Sequence, residues 1–134
     1  VRRFQTVAGR RAEEHHQQAV RELDVAGVQL DEMHSKLRRK RALWVLSALA
    51  MGSQFILWVV CGSRSPDNAA RLVAQVVARL RCLPLFLTDG WKVYKQALLR
   101  VLERVTRARR RGSRGRHPKP RLVAPPDLFY GQVV

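Results

Sequence analysis

A chain of 134 residues has room for one domain with a moderate core, and its 46% hydrophobic content excludes wholesale disorder. Its 26 Lys and Arg against 10 Asp and Glu leave a net charge of +16 and a pI near 11.6. That excess is too large for solubility alone and points to a polyanionic partner, nucleic acid first and an anionic membrane surface second.

Residues 1–9 show no clear pattern. Residues 11–23 are good helix formers with a narrow apolar stripe at Ala12, Ala19, Val20 and Leu23. That stripe is too small to fold alone, so residues 1–24 read as a linker helix and 25–134 as the domain. No apolar run follows Arg2 and Arg3, as a signal peptide would need. After a turn at residues 24–27, residues 28–34 alternate as a first strand, with Val28, Leu30 and Glu32 in phase. Asp31 falls on the face opposite Leu30. An acid inside a strand is disfavoured, so Asp31 is either solvated on an edge strand or a metal ligand.

Residues 42–62 carry no charged side chain and follow a basic run, Lys36 with Arg38, Arg39, Lys40 and Arg41. This is the outline of a transmembrane helix of about 20 residues. Gly52-Ser53-Gln54 at its centre, between two runs of strand formers, predicts instead a β-hairpin buried on both faces. Periodicity leaves the membrane span open as the alternative.

Ser65-Pro66-Asp67 opens a helix with an N-cap serine and Pro at the first position. It should run to about Arg81, with Ala69, Leu72, Val73, Val76, Val77 and Leu80 on one face. Residues 84–88 make a fourth strand and residues 91–104 the next helix, with Val93, Ala97, Leu98, Val101 and Leu102 inward. Between them Asp89-Gly90 presents a carboxylate at a strand's carboxyl end, where ligands gather in open α/β sheets. The plainer role for Asp89 is a helix cap.

Residues 107–121 change character. Arg107, Arg109, Arg110, Arg111, Arg114, Arg116, Lys119 and Arg121 stand among Gly, Ser and Pro without one acid. Such a run is solvated and can also grip a phosphate backbone. Residues 128–134 then begin a fifth strand. Cys61 and Cys82 have neither zinc spacing nor a disulfide framework and read as buried reduced thiols of an intracellular protein. His15 and His16 read as solvated on a helix face; His34 and His117 stand alone.

Three strands, a helix, a strand, a helix and a strand suggest a mixed α/β sheet of the ribonuclease-H-like kind. Its first three strands are antiparallel, and the fourth runs parallel to the first. That order sets Asp31 and Asp89 on neighbouring strands, where their repulsion would be offset by a divalent cation. Hard oxygen ligands favour Mg²⁺ or Mn²⁺.

Two segments carry a resemblance: Gln29-Leu30-Asp31-Glu32-Met33 and Thr88-Asp89-Gly90-Trp91-Lys92-Val93-Tyr94. Together with Gly62-Ser63-Arg64-Ser65 and the closing residues 126–134, they resemble the DDE transposases of bacterial insertion sequences, specifically the insertion-sequence-one-like group. The resemblance covers residues 20–134. It implies a ribonuclease-H-like core, a divalent metal, and cleavage and joining of DNA at element ends, with Asp31 and Asp89 as first and second catalytic acids. It also implies DNA and a second copy of the chain as partners, in the nucleoid-associated cytoplasm of a bacterium or archaeon.

Two features depart from that pattern. Met33-His34 stands where the family has an aromatic residue, commonly Trp. The family's third acid is a glutamate on a helix beyond the fifth strand, and neither Glu103 nor Asp127 matches it. The chain is therefore expected to be a truncated core lacking the family's N-terminal DNA-recognition region, and inactive or nearly so in isolation. A non-catalytic basic DNA-binding module, with structural acids, is the competing expectation.

Overall fold

The computed structural model describes residues 2–37, 41–106 and 121–133. Helix α1 (Arg2–Ala19) precedes strands β1 (Gly27–Leu37), β2 (Arg41–Ala50) and β3 (Ile56–Gly62). Helix α2 (Pro66–Val77), strand β4 (Leu85–Thr88) and helix α3 (Val93–Leu102) follow. The short strands β5 (Arg104–Thr106), β6 (Arg121–Val123) and β7 (Phe129–Gln132) complete the order. Five strands form one mixed sheet in the order β3-β2-β1-β4-β7, and β5 pairs with β6 apart from it. β1, β2 and β3 are antiparallel neighbours, whereas β4 runs parallel to both β1 and β7. The architecture is α/β, with the strand directions expected.

Alternation builds the core. Val28 and Leu30 of β1, Leu46, Ala48 and Ala50 of β2, Val60 of β3 and Phe86 of β4 are all buried on one face. Helices α2 and α3 cover that face with Ala69, Leu72, Val73, Val76, Ala97 and Leu98, most of the positions their spacing predicted. Tyr94, unpredicted as a core residue, is wholly buried there.

The other face departs from expectation. Ile56 and Val59 of the hairpin are 49% and 38% exposed, so the hairpin is buried on one side only. β3 lies at the sheet edge, and among the described residues no further strand pairs with it. Residues 42–62 form two strands and their turn, and among the described residues no helix is long and apolar enough to cross a membrane. Gly52 takes a φ of 89° in that turn, a value that favours glycine.

Ser65 caps α2, its hydroxyl accepting from the Asn68 amide at 3.3 Å, with Pro66 in the first position. The helix stops at Val77 rather than near Arg81. The segment beyond it turns to Leu23 instead: the Leu23 amide donates to the Arg79 carbonyl and the Arg81 amide to the Leu23 carbonyl. Tertiary pairing overrides a helical period.

At the other end α1 begins at Arg2, well before residue 11. Phe4 and Val7 there are 78% and 47% exposed, so this stretch buries no face that a periodic pattern could reveal. The thiols also differ from expectation: Cys61 and Cys82 are free and exposed. Cys61 points to the open face, and Cys82 lies in a loop near Asp24, whose hydrogen bond raises its pKa. His16 is half-buried rather than solvated, stacked on Phe55 and within reach of the Ile56 carbonyl at 3.0 Å.

Of the basic residues singled out, Arg38, Arg39, Lys40, Arg107, Arg109, Arg110, Arg111, Arg114 and Arg116 lie outside the described residues. Lys36 is exposed near the end of β1, and Arg41 opens β2.

Candidate functional site

The parallel pair β1–β4 creates the site by ending unevenly. Its last paired residues are Leu30 and Thr88, and β1 continues while β4 gives way to a loop. Asp31 and Asp89 are therefore each the first residue past the pairing, at the carboxyl end of β4. The backbone of Asp89 is held from the core side. Buried Thr88 donates its hydroxyl to the Asp89 carbonyl at 3.1 Å, and the Tyr130 hydroxyl lies 2.9 Å from the same oxygen of Thr88.

Asp31, Glu32 and Asp89 converge here, with one carboxylate oxygen of each within 4.8 Å of the others. Asp31 and Asp89 are exposed, and each has one oxygen engaged locally. Asp31 Oδ1 accepts from the Glu32 amide at 2.8 Å, and Asp89 Oδ1 from the Trp91 amide at 3.0 Å. Asp89 thus fixes the turn into α3, although the helix itself starts later, with Lys92 at its N-cap and no side-chain cap bond. Oδ1 of Asp89 is taken by that turn, and its second oxygen is free of it.

Glu32 differs from its neighbours. It is in phase with Val28 and Leu30, so it faces the helix-covered side, and its side chain is only 4% exposed. Arg64, in the loop after β3, supplies the compensating charge. Its Nε donates to Glu32 Oε1 at 3.0 Å, and its Nη2 contacts the same oxygen. The guanidinium sits between two indoles, 5.0 Å from the Trp44 ring centre and 4.5 Å from that of Trp91. The His34 ring lies tilted against Trp44, with ring centres 4.8 Å apart.

Both Arg64 donors fall on Oε1, and the buried Tyr94 hydroxyl stands against the same Glu32 carboxylate. Burial, reinforced by the negative charge of Glu32, pushes the Tyr94 phenol well above its ordinary value of 10.0. Folded Tyr94 keeps its proton where the unfolded chain loses it, so its contribution to stability holds below pH 10 and falls as pH rises past it. Denaturant titrations at pH 9 and 11 should show a smaller alkaline loss of stability in Tyr94→Phe than in the wild type.

Sequence reasoning identified Asp31 and Asp89 and missed Glu32 and Arg64 as parts of the same site. The signal was available in the phase of Glu32: an acid in line with two core residues needs a buried cation. Glu103, at the end of α3, and Asp127, in the turn before β7, are not in the cluster. A shallow groove bordered by Asp31, Thr88, Asp89 and Val133 opens beside it. No protein-family model matches the chain, and neither a curated protein nor a solved structure shows significant similarity to it.

Proposed function

We propose that this chain is the core segment of a DDE-type transposase of the insertion-sequence-one-like group. Its fold is ribonuclease-H-like, and its substrate is DNA. The observation that carries the reading is the convergence of Asp31 and Asp89 at the carboxyl end of the β1–β4 pair. The strand order β3-β2-β1-β4-β7, with three antiparallel strands followed by parallel ones, also supports it.

The residues fit a divalent cation, Mg²⁺ or Mn²⁺. All donors are hard carboxylate oxygens, and one oxygen of each of Asp31, Glu32 and Asp89 lies within 4.8 Å of the others. Asp31 and Asp89 would hold the ion. When bound, it would polarise the attacking oxygen and stabilise the leaving oxygen of a phosphodiester. The protein's own tasks are to fix Asp89 through the Thr88–Tyr130 pair and the Trp91 amide, and to hold DNA beside the acids. Lys36 lies five residues beyond Asp31, about 17 Å along the strand. It leads into the basic run to Arg41, and with residues 107–121 this run supplies phosphate contacts. A second copy of the chain is part of the proposal.

The local hydrogen bonds of Asp31 and Asp89 favour a second reading, a non-catalytic DNA-binding module whose acids only shape turns. Binding of a labelled DNA duplex, followed by fluorescence anisotropy with and without Mn²⁺, separates the two. Both readings predict affinity falling steeply with salt; six phosphate contacts would cost about 10³-fold between 50 and 200 mM. The transposase reading expects Mn²⁺ to change DNA binding, and Asp31→Asn to abolish that change. Binding indifferent to Mn²⁺ and to Asp31→Asn would establish the module instead.

A further inference from the structure

We propose that Arg21 and Arg79 form an anion site that takes a phosphate group, in the groove where the ends of α1 and α2 meet. The site is independent of the reading of Asp31 and Asp89. Its floor includes Trp58 of β3, the edge strand that β2 separates from β1.

Arg79 follows α2 and is only 8% exposed, yet no acid pairs with it among the described residues. A buried charge is ordinarily matched by an opposite one, as Glu32 matches Arg64. The partners of Arg79 are neutral. Its Nη1 donates to the Gln75 carbonyl and, at 2.9 Å, to Gln75 Oε1, and its guanidinium lies 3.8 Å from the Trp58 ring centre. A helix-end carbonyl and an indole orient a guanidinium without cancelling its charge. Nε is left buried without a partner, and Nη2 makes no hydrogen bond among the described residues. Nε and Nη2 together form one edge of the guanidinium fork, the geometry that takes two oxygens of a phosphate.

Arg21, just after α1, brings a second positive charge to the same place. The groove, of about 550 Å³, is bordered by Gln17, Arg21, Glu22, Gln75 and Arg79. Burial first and the Arg21 charge second lower the pKa of Arg79 from its ordinary value, so the fold gathers two like charges at a cost. Glu22 borders the groove but bridges to neither arginine. A bound oxyanion would offset both the burial and the repulsion. Two guanidinium groups call for an anion with oxygens in more than one direction, which tetrahedral phosphate has and planar carboxylate lacks. The phosphate is either free in solution or part of a DNA backbone.

The test titrates the whole chain with inorganic phosphate by calorimetry, at ionic strength held constant with chloride, and with a labelled DNA duplex by fluorescence anisotropy. Arg21→Gln and Arg79→Lys are compared with Arg71→Gln, which removes an exposed charge of α2 outside the groove. The expected result is one saturable phosphate site in the wild type, weakened at least about tenfold in Arg21→Gln and unchanged in Arg71→Gln. Arg79→Lys keeps the charge but not the fork and should weaken binding similarly. If circular dichroism shows that it does not fold, Arg21→Gln, at an exposed position, decides alone. A larger loss of DNA affinity in Arg21→Gln than in Arg71→Gln identifies the phosphate as one of DNA. Loss of inorganic phosphate binding with equal DNA affinities identifies it as free phosphate. Equal affinities of Arg21→Gln and Arg71→Gln for both probes would overturn the site and leave only diffuse positive charge. Mn²⁺ enters none of these outcomes, so their failure leaves the acids at β1 and β4 untouched.

Discussion

Replacing Arg64 by Met is expected to destabilise the protein by about 3 kcal/mol. Removing one partner of a buried ion pair costs about 3–5 kcal/mol, because the remaining charge stays desolvated. The lower end applies here: Glu32 is 4% exposed, but Arg64 is 38% exposed and partly screened by water. Lost packing on Trp44 and Trp91 adds to the effect, at roughly 0.5–1 kcal/mol for each exposed cation–π contact. For a domain of this size the change lowers the melting temperature by about 10 °C. The double variant Glu32→Gln/Arg64→Met should recover much of the loss, since no charge is then stranded. Thermal melts followed by circular dichroism measure all three. Additive losses in the double variant would mean that the two side chains stabilise the protein independently.

Asp31→Asn and Asp89→Asn should each lower Mn²⁺ affinity by at least about hundredfold. Losing a residue that merely supports a metal ligand already costs about 10–100-fold, and a ligand matters more. Stability in the absence of metal should move the other way or stay unchanged. Asn retains the Oδ1 that accepts from the Glu32 or Trp91 amide, so each local turn survives, while one of three crowded charges is removed. A site built for binding commonly lowers stability in this manner. Calorimetric titration with Mn²⁺, paired with melts of the metal-free variants, reads both effects. A large fall in melting temperature with unchanged Mn²⁺ affinity would mark these aspartates as structural.

Much of the architecture was legible because local chemistry and tertiary structure agree. Ser65-Pro66 starts α2 as its residue types require, and the apolar positions Ala69, Leu72, Val73 and Val76 are all buried. The hairpin followed from strand formers on either side of Gly52. What was hidden depends on contacts between distant segments. Leu23 ends the helical path after Val77 by exchanging backbone bonds with residues 79 and 81. β5 and β6 are three residues each and lie on either side of a long basic segment, so neither carries a measurable alternation.

The site divides along the same line. Asp31 and Asp89 stood out in the sequence because each sits where a strand's pattern breaks or ends, and the fold brings them together. Arg64 could not be assigned to Glu32 from spacing, since β2 and β3 separate them and only the fold brings them together. The cysteines were misjudged for a related reason. Cys61 belongs to a strand with one covered face, and its position in the alternation places it on the open one.

Diffraction from crystals grown with Mn²⁺, with anomalous data collected near the manganese edge, tests the central claim most directly. The account predicts a single strong peak in contact with both Asp31 and Asp89. No peak at that point at millimolar Mn²⁺, or manganese held only elsewhere on the surface, would contradict a metal-dependent transposase core and leave a basic DNA-binding module in its place.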